Sequence, residues 1–435
     1  MLTNRLLLYD KLNNDEIISS MAYLLCKNDH VEEEISEEEL SALGVSCVSM
    51  LIDEGVRHGY AGNLWHDYLT YALVNDENPL SLSSERKDGV EGTLSTLAIH
   101  DFEVIKQLFD IDLDGLDKYC RTDCFALIKD FVPDNKAGKI FNERIRDRIC
   151  TLAGMLSSAR DNVEFLNIMT EFYRDYGVGK YGLHKAFRVR HTRDDEVIIE
   201  PIKKVKHIYL DDLVGYEAQK KKLIDNTEAF VNGRRANNCL LYGDMGTGKS
   251  SCIKALINKY YDSGLRLIEV FKHQMRDLND IIAQIKGRNY RFIIYMDDLS
   301  FEDQEVEYKY LKAVIEGGLE KQPENMLIYA TSNRRHLIHE GFSDKLDRRD
   351  DDDIHASDTV QEKLSLSARF GVSIYFGRPN KKEYDNIVKV LAERYGAKID
   401  EEELLSLANR WELEHGGYSG RAAQQLIDYI LGSVN

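Results

Sequence analysis

Hydrophobic positions follow two different rules along this chain. Up to about residue 185, apolar residues recur at helical spacing, as in Ile17–Leu25 and Val104–Leu113, with few β-branched runs. That pattern predicts a mainly helical region. A short extended stretch follows, Phe187–Arg190 and Val197–Glu200, and then the pattern changes. Brief apolar runs at Cys239–Tyr242, Leu265–Val270, Phe292–Met296, Met326–Ala330 and Val372–Phe376 are separated by amphipathic helical stretches. Such alternation predicts βαβ units and a parallel sheet buried on both faces. From Pro379 the pattern is helical to the end. We therefore expect a helical region over 1–185, an extended linker over 186–209, an α/β core over 210–378 and a helical segment over 379–435.

The chemistry concentrates in the α/β part. Gly243-Asp244-Met245-Gly246-Thr247-Gly248-Lys249-Ser250 matches G-x-x-x-x-G-K-[ST], with an apolar run before it and a helical stretch starting at Ser250 and Ser251. Strand before and helix after are the context this motif needs. Its glycines let the backbone curl until successive N–H groups face one anion. The helix start adds roughly half a positive charge. Lys249 is placed to reach the β/γ-phosphates and Ser250 to ligate Mg²⁺. A second motif, Arg291–Asp298, is an apolar strand ending in two carboxylates. It delivers acid to the C-terminal edge of a parallel sheet, where such folds bind ligands. Asp297 suits Mg²⁺, and Asp298 suits a general base acting on water. The run Leu265–Val270 stands between the two motifs, which favours the ATPase branch that has an extra strand.

Charge and cysteine content narrow the setting. Net charge is −18, so the field of the whole molecule disfavours a nucleic-acid partner. Lys203, Lys204 and Lys206 form only a local basic patch. No apolar run approaches the ~20 residues of a membrane span. The start of the chain lacks a signal-peptide pattern, and the seven scattered cysteines suit reduced thiols. A cytoplasmic location is expected.

Other motifs are weaker. Asp110–Gly115 opens like a calcium loop, but Lys118 and Arg121 occupy ligand positions. Gly177-Val178-Gly179-Lys180-Tyr181-Gly182 matches G-x-G-x-x-G, yet it follows a helical stretch and reads as a connecting loop. Cys120 and Cys124 are expected on one helix face as buried thiols. His336 and His339 lack a third metal ligand, the acid-rich stretch Asp29–Glu39 reads as solvated, and Arg348–Asp353 reads as a polar connection.

From Leu210 to the C-terminus these motifs resemble the AAA+ ATPases. The resemblance implies a P-loop AAA+ core with a parallel sheet and a C-terminal helical lid, here joined to a mainly helical N-terminal domain. Asp211–Glu217, with Val214 and Gly215, resembles the segment lining the adenine pocket. Thr331-Ser332-Asn333 resembles sensor 1, in which Asn333 orients the attacking water. Ala368-Arg369-Phe370 resembles the box carrying the arginine finger, and Gly420-Arg421 resembles sensor 2. The runs Met296–Glu320 and Glu362–Gly371 are most similar to an uncharacterised bacterial AAA+ family of unknown cellular function. Where most AAA+ proteins carry Glu, this chain has Asp298, and the shorter side chain implies slow hydrolysis.

The expected cofactors are ATP and Mg²⁺, and the expected activity is ATP hydrolysis coupled to remodelling or loading a protein partner. Lys249, Asp298, Asn333 and Arg369 would be catalytic. Met245, Gly246, Thr247, Ser251 and Arg421 would hold nucleotide, and Ser250 and Asp297 would hold the metal. An arginine acting on a neighbour's nucleotide needs subunits arranged head to tail, hence a ring or filament. Competing readings are a nucleotide-controlled switch with negligible turnover, a DNA-associated helicase-loader-like ATPase, and a small-molecule kinase.

Overall fold

A computed structural model describes the chain except residues 1, 30–35, 86–91, 134–141, 302–304, 317–321, 334–336, 338–365 and 434–435. His336, His339 and Arg348–Asp353 lie outside the described residues. The chain divides into two units, Met1–His184 and Lys185–Asn435. Among the described residues, no helix is long and apolar enough to cross a membrane.

The first unit is built from helices α1 (Glu16–Asp29), α2 (Glu37–His58), α3 (Leu64–Asn75), α4 (Pro79–Ser84), α5 (Thr93–Phe109), α6 (Leu113–Cys120), α7 (Glu143–Ser157), α8 (Asn162–Tyr176) and α9 (Gly179–Leu183). Their boundaries follow local chemistry. Ser36 caps α2 in a reciprocal box with Glu39, and Gly59 ends it in the left-handed conformation. Trp65, Phe102, Phe109, Phe165 and Tyr173 fill the core. The fully buried Asp101 accepts N–H bonds from Leu7, Leu8 and Tyr9, tying the N-terminal turns to α5.

The weaker motifs acquire structural roles here. Asp112 caps α6 through Asp114 N–H, Asp110 pairs with Lys106, and Asp114 pairs with Lys129 at 2.6 Å. α6 ends at Cys120, where Arg121 turns left-handed at φ 54°, so Cys124 lies beyond the helix and does not share its face. None of the seven cysteines forms a disulfide. In the G-x-G-x-x-G stretch, Val178 N–H donates to Glu85 Oε1 at 2.8 Å. A Cβ on Gly179 would lie 2.3 Å from a Glu77 oxygen. Most of the stretch is therefore not the expected loop but the short helix α9, and its start packs against the chain's own carboxylates.

The second unit is an α/β layer with a helical end. In chain order its elements are β1 (Ala186–His191), β2 (Val197–Pro201), α10 (Glu217–Val231), β3 (Cys239–Gly243), α11 (Lys249–Tyr260), β4 (Leu265–Glu269), α12 (Leu278–Ile285), β5 (Arg291–Met296), α13 (Glu307–Glu316), β6 (Met326–Ser332), β7 (Val372–Phe376), α14 (Lys381–Tyr395), α15 (Glu401–Glu414) and α16 (Gly420–Ser433). The strands form one sheet in the order β2-β1-β4-β5-β6-β3-β7. All neighbours are parallel except β1 and β2. The central strands are apolar over Phe292–Met296 and Met326–Ala330, as burial on both faces requires.

The sheet corrects one expectation and sharpens another. Residues 186–209 are not merely a linker, because β1 pairs with β4 and extends the sheet through β2. Leu265–Val270 stands between the two motifs along the chain, as expected, but it is not the strand that separates them in the sheet. β4 lies outside β5, and the strand inserted between β3 and β5 is β6. Helices α14, α15 and α16 form their own core around Tyr384, Val388, Ala408, Ala423 and Ile427.

Candidate functional site

The phosphate loop begins where β3 runs out against β7. A Cβ on Gly243, at φ 132°, would sit 2.2 Å from the Phe376 carbonyl oxygen, so only glycine fits beside its partner on β7. Gly248, also left-handed, opens α11. Asp244 fastens the loop from outside by accepting Arg378 N–H at 2.9 Å. Thr247 closes it by donating to Asp244 O.

Lys249 is only 6% exposed and lies inside this curl. Its ammonium donates to Gly243 O at 2.9 Å, Asp244 O at 2.6 Å and Asn333 Oδ1 at 3.2 Å. Burial holds its pKa below the usual lysine value, against the opposing pull of Asp244, Asp298 and Asp297. Asn333 in turn donates from Nδ2 to Asp298 Oδ1 at 2.6 Å. One amide therefore joins the loop lysine to the second acid.

Asp297 sits at the end of β5 and accepts from Ser250 Oγ at 2.6 Å and Thr331 Oγ1 at 2.7 Å. Lys254 Nζ lies 3.5 Å from its other oxygen. Burial raises its pKa, but the two hydroxyls and the ammonium outweigh this, and the carboxyl is held below the usual aspartate range. Asp298 occupies the left-handed region at φ 51°, with its N–H on Thr331 Oγ1 at 2.9 Å.

These groups face a cavity of about 1050 Å³. Val214, Gly215, the loop from Met245 to Ser251, both acids, Thr331 and Asn333 line it. Helix α14 adds Ile387, Leu391 and Arg394, and α16 adds Arg421. Arg421 reaches the loop through its backbone, donating N–H to Gly246 O at 3.2 Å. The structure thus brings most of the expected residues to the cavity, while Gly243 and Asp244 form the base of the loop without lining it. Arg369 does not line this cavity and pairs with Glu316 on α13.

Sequence reasoning misses two residues. Arg394 on α14 donates to Asp212 O at 2.7 Å and Asp211 O at 2.9 Å, pinning the lid to the segment before Val214. Thr331 bridges both acids, although the sequence points only to its neighbour Asn333. Nothing local marks either residue, since their partners lie far away in sequence.

The donor set suits Mg²⁺. Ser250 and Asp297 present hard oxygens side by side, and Mg²⁺ held with a triphosphate typically takes only one or two protein carboxylates. Among the described residues, no cluster of three or more His, Cys, Asp or Glu side chains could hold a metal alone.

Comparison with known proteins follows the same lines. An 88-residue stretch is 33% identical to the replication factor C large subunit of Methanococcus maripaludis strain C5, and 31% identical to that of strain C7. Each stretch is 20% of this chain, and the chain spans 17% of the length of these curated relatives. Among solved structures, the Thermotoga maritima RuvB Holliday junction branch migration motor is 18% identical at a TM-score of 0.34, covering 52% of this chain and 64% of that one. The FIGL-1 AAA domain in complex with ADP is 17% identical at a TM-score of 0.36, covering 53% and 76%. The family described as "Protein of unknown function (DUF815)" matches residues 183–434, more than half of the chain. The chain belongs to that family.

Proposed function

We propose that this protein binds ATP with Mg²⁺ and hydrolyses it slowly to remodel or load a protein partner. The observation that carries the reading is the convergence of Lys249, Ser250, Asp297, Asp298 and Asn333 at the mouth of one cavity. Ser250 and Asp297 would hold Mg²⁺, which supplies charge neutralisation for the transferred phosphoryl group when bound. Lys249 exchanges its loop carbonyls for phosphate oxygens. Asp298 accepts the proton of the attacking water, and Asn333 fixes that carboxylate while turning its carbonyl toward Lys249. Positioning and electrostatics of this kind supply most of the rate in phosphoryl transfer.

Arg421 and Arg394 make the lid responsive, because both tie its helices to segments bordering the cavity. Arg369 acts on the nucleotide of a neighbouring copy in a ring or filament, which suits its place outside its own cavity. Phosphate release tests the reading, with Lys249→Ala and Asp297→Ala as controls. The wild-type chain should exceed both at least tenfold in the presence of Mg²⁺. Release no greater than the Lys249→Ala control, with ATP still bound, would favour a nucleotide-controlled switch.

A further inference from the structure

We infer that Thr331 is a positioning residue that sets both acids of the site through a single hydroxyl. The hydroxyl has one proton, and it goes to Asp297 Oδ1 at 2.7 Å. Its oxygen accepts the Asp298 N–H at 2.9 Å. The two bonds therefore run in one direction, from the Asp298 backbone through Thr331 to the Asp297 carboxylate. They join the group that would hold Mg²⁺ to the group that would activate water.

Strand geometry explains why a side chain does this work. β5 and β6 pair regularly as far as Met296 and Ala330. Beyond that register the β5 backbone leaves the ladder, and Asp298 turns left-handed at φ 51°, an uncommon conformation for a residue other than glycine. Thr331 meets the departing chain twice, since its backbone carbonyl also accepts Leu299 N–H at 2.7 Å. Being 2% exposed and in the strand between β3 and β5, it has little freedom to move. Without the hydroxyl, Asp297 keeps Ser250 and Lys254 but loses the bond that aims Oδ1. Asp298 loses the bond that anchors its backbone turn, which presents its carboxylate to Asn333.

The inference rests on the reading of the cavity as a Mg–ATP site, so its test separates metal use from turnover. Thr331→Val keeps the branched shape and removes the hydroxyl, whereas Thr331→Ser keeps the hydroxyl. Nucleotide binding is measured by calorimetry with ADP in EDTA and across a Mg²⁺ titration, and phosphate release is followed in parallel. Thr331→Val should bind ADP normally in EDTA, need about 10–100 times more Mg²⁺ for half-effect, and lower kcat more than it raises KM. Thr331→Ser should restore both to within about threefold of wild type, which a purely structural role for the side chain would not predict. Thr331→Ala serves as the second variant if the valine chain does not fold.

A wild-type chain without phosphate release, whose Thr331→Val variant still loses Mg²⁺ sensitivity, overturns the hydrolysis reading and supports this inference. Wild-type Mg²⁺ dependence and kcat in Thr331→Val overturn the inference and leave hydrolysis standing. A wild-type chain that binds no nucleotide overturns both.

Discussion

Asn333 has one orientation that satisfies its neighbours, carbonyl to the Lys249 ammonium and amide to the Asp298 carboxylate. Reversing it would place like charges or unpaired donors against each other. That constraint lets an uncharged residue keep a cation and an anion apart at fixed distances. A different residue-level effect operates in the first unit. Burial pushes the carboxyl of Asp67 up to about 7, against a Cys150 thiol that donates to it at 3.5 Å. The folded chain therefore holds a proton that the unfolded chain releases near pH 4, so the contribution of Asp67 to stability is greatest below pH 4 and falls until about pH 7. Asp67→Asn should remove that decline and stabilise the first unit at pH 8 by about 2–4 kcal/mol. Urea unfolding of the two chains at pH 5 and pH 8 checks this, and an equal pH slope in both would contradict it.

At the scale of elements, the site depends on where strands end. β3 and β7 pair so closely at Gly243 that a Cβ there would run into the Phe376 backbone. The obstacle is main chain, which cannot rotate out of the way as a side chain could. Gly243→Ala should therefore displace the loop and weaken nucleotide binding by at least tenfold, with a loss of stability of about 1–3 kcal/mol. Calorimetry with ADP and thermal unfolding read the two effects; wild-type affinity in this variant would refute the steric argument. The lid depends on similar contacts. α16 starts on the loop through Arg421 N–H, and α14 holds the segment before Val214 through Arg394. Movement of either helix is thus mechanically linked to the cavity wall.

For the whole molecule, the position of Arg369 sets the expectation. It pairs with Glu316 and lies away from its own cavity, so a role in hydrolysis requires another copy. With Asp298→Asn to slow turnover, ATP should raise the assembled fraction. Arg369→Ala should lower phosphate release by about 10³–10⁵, as for arginines that stabilise transferring phosphate. Light scattering that reports a monomer at every ATP concentration would remove the basis for action between copies. The strongly acidic chain adds a further constraint, since a field of net charge −18 favours a basic or neutral partner over a polyanion.

Much of the candidate site is legible in the residues alone because the proposed phosphate chemistry dictates local types. The curl at Gly243–Gly248 needs glycines, the anion needs Lys249, and an acid at a strand end needs only an apolar run before it. The helical and α/β regimes are equally visible, since burial imposes periods of 3.6 and runs of apolar residues. What folding adds is pairing across long separations. β1 and β2 join the sheet because β4 offers an edge, and β6 comes to lie between the two motif strands. Thr331 and Arg394 acquire their roles from those neighbours, as does the separation of Arg369 from the cavity. No local pattern encodes which strand lies beside which, because that choice is made by packing surfaces distant in the chain.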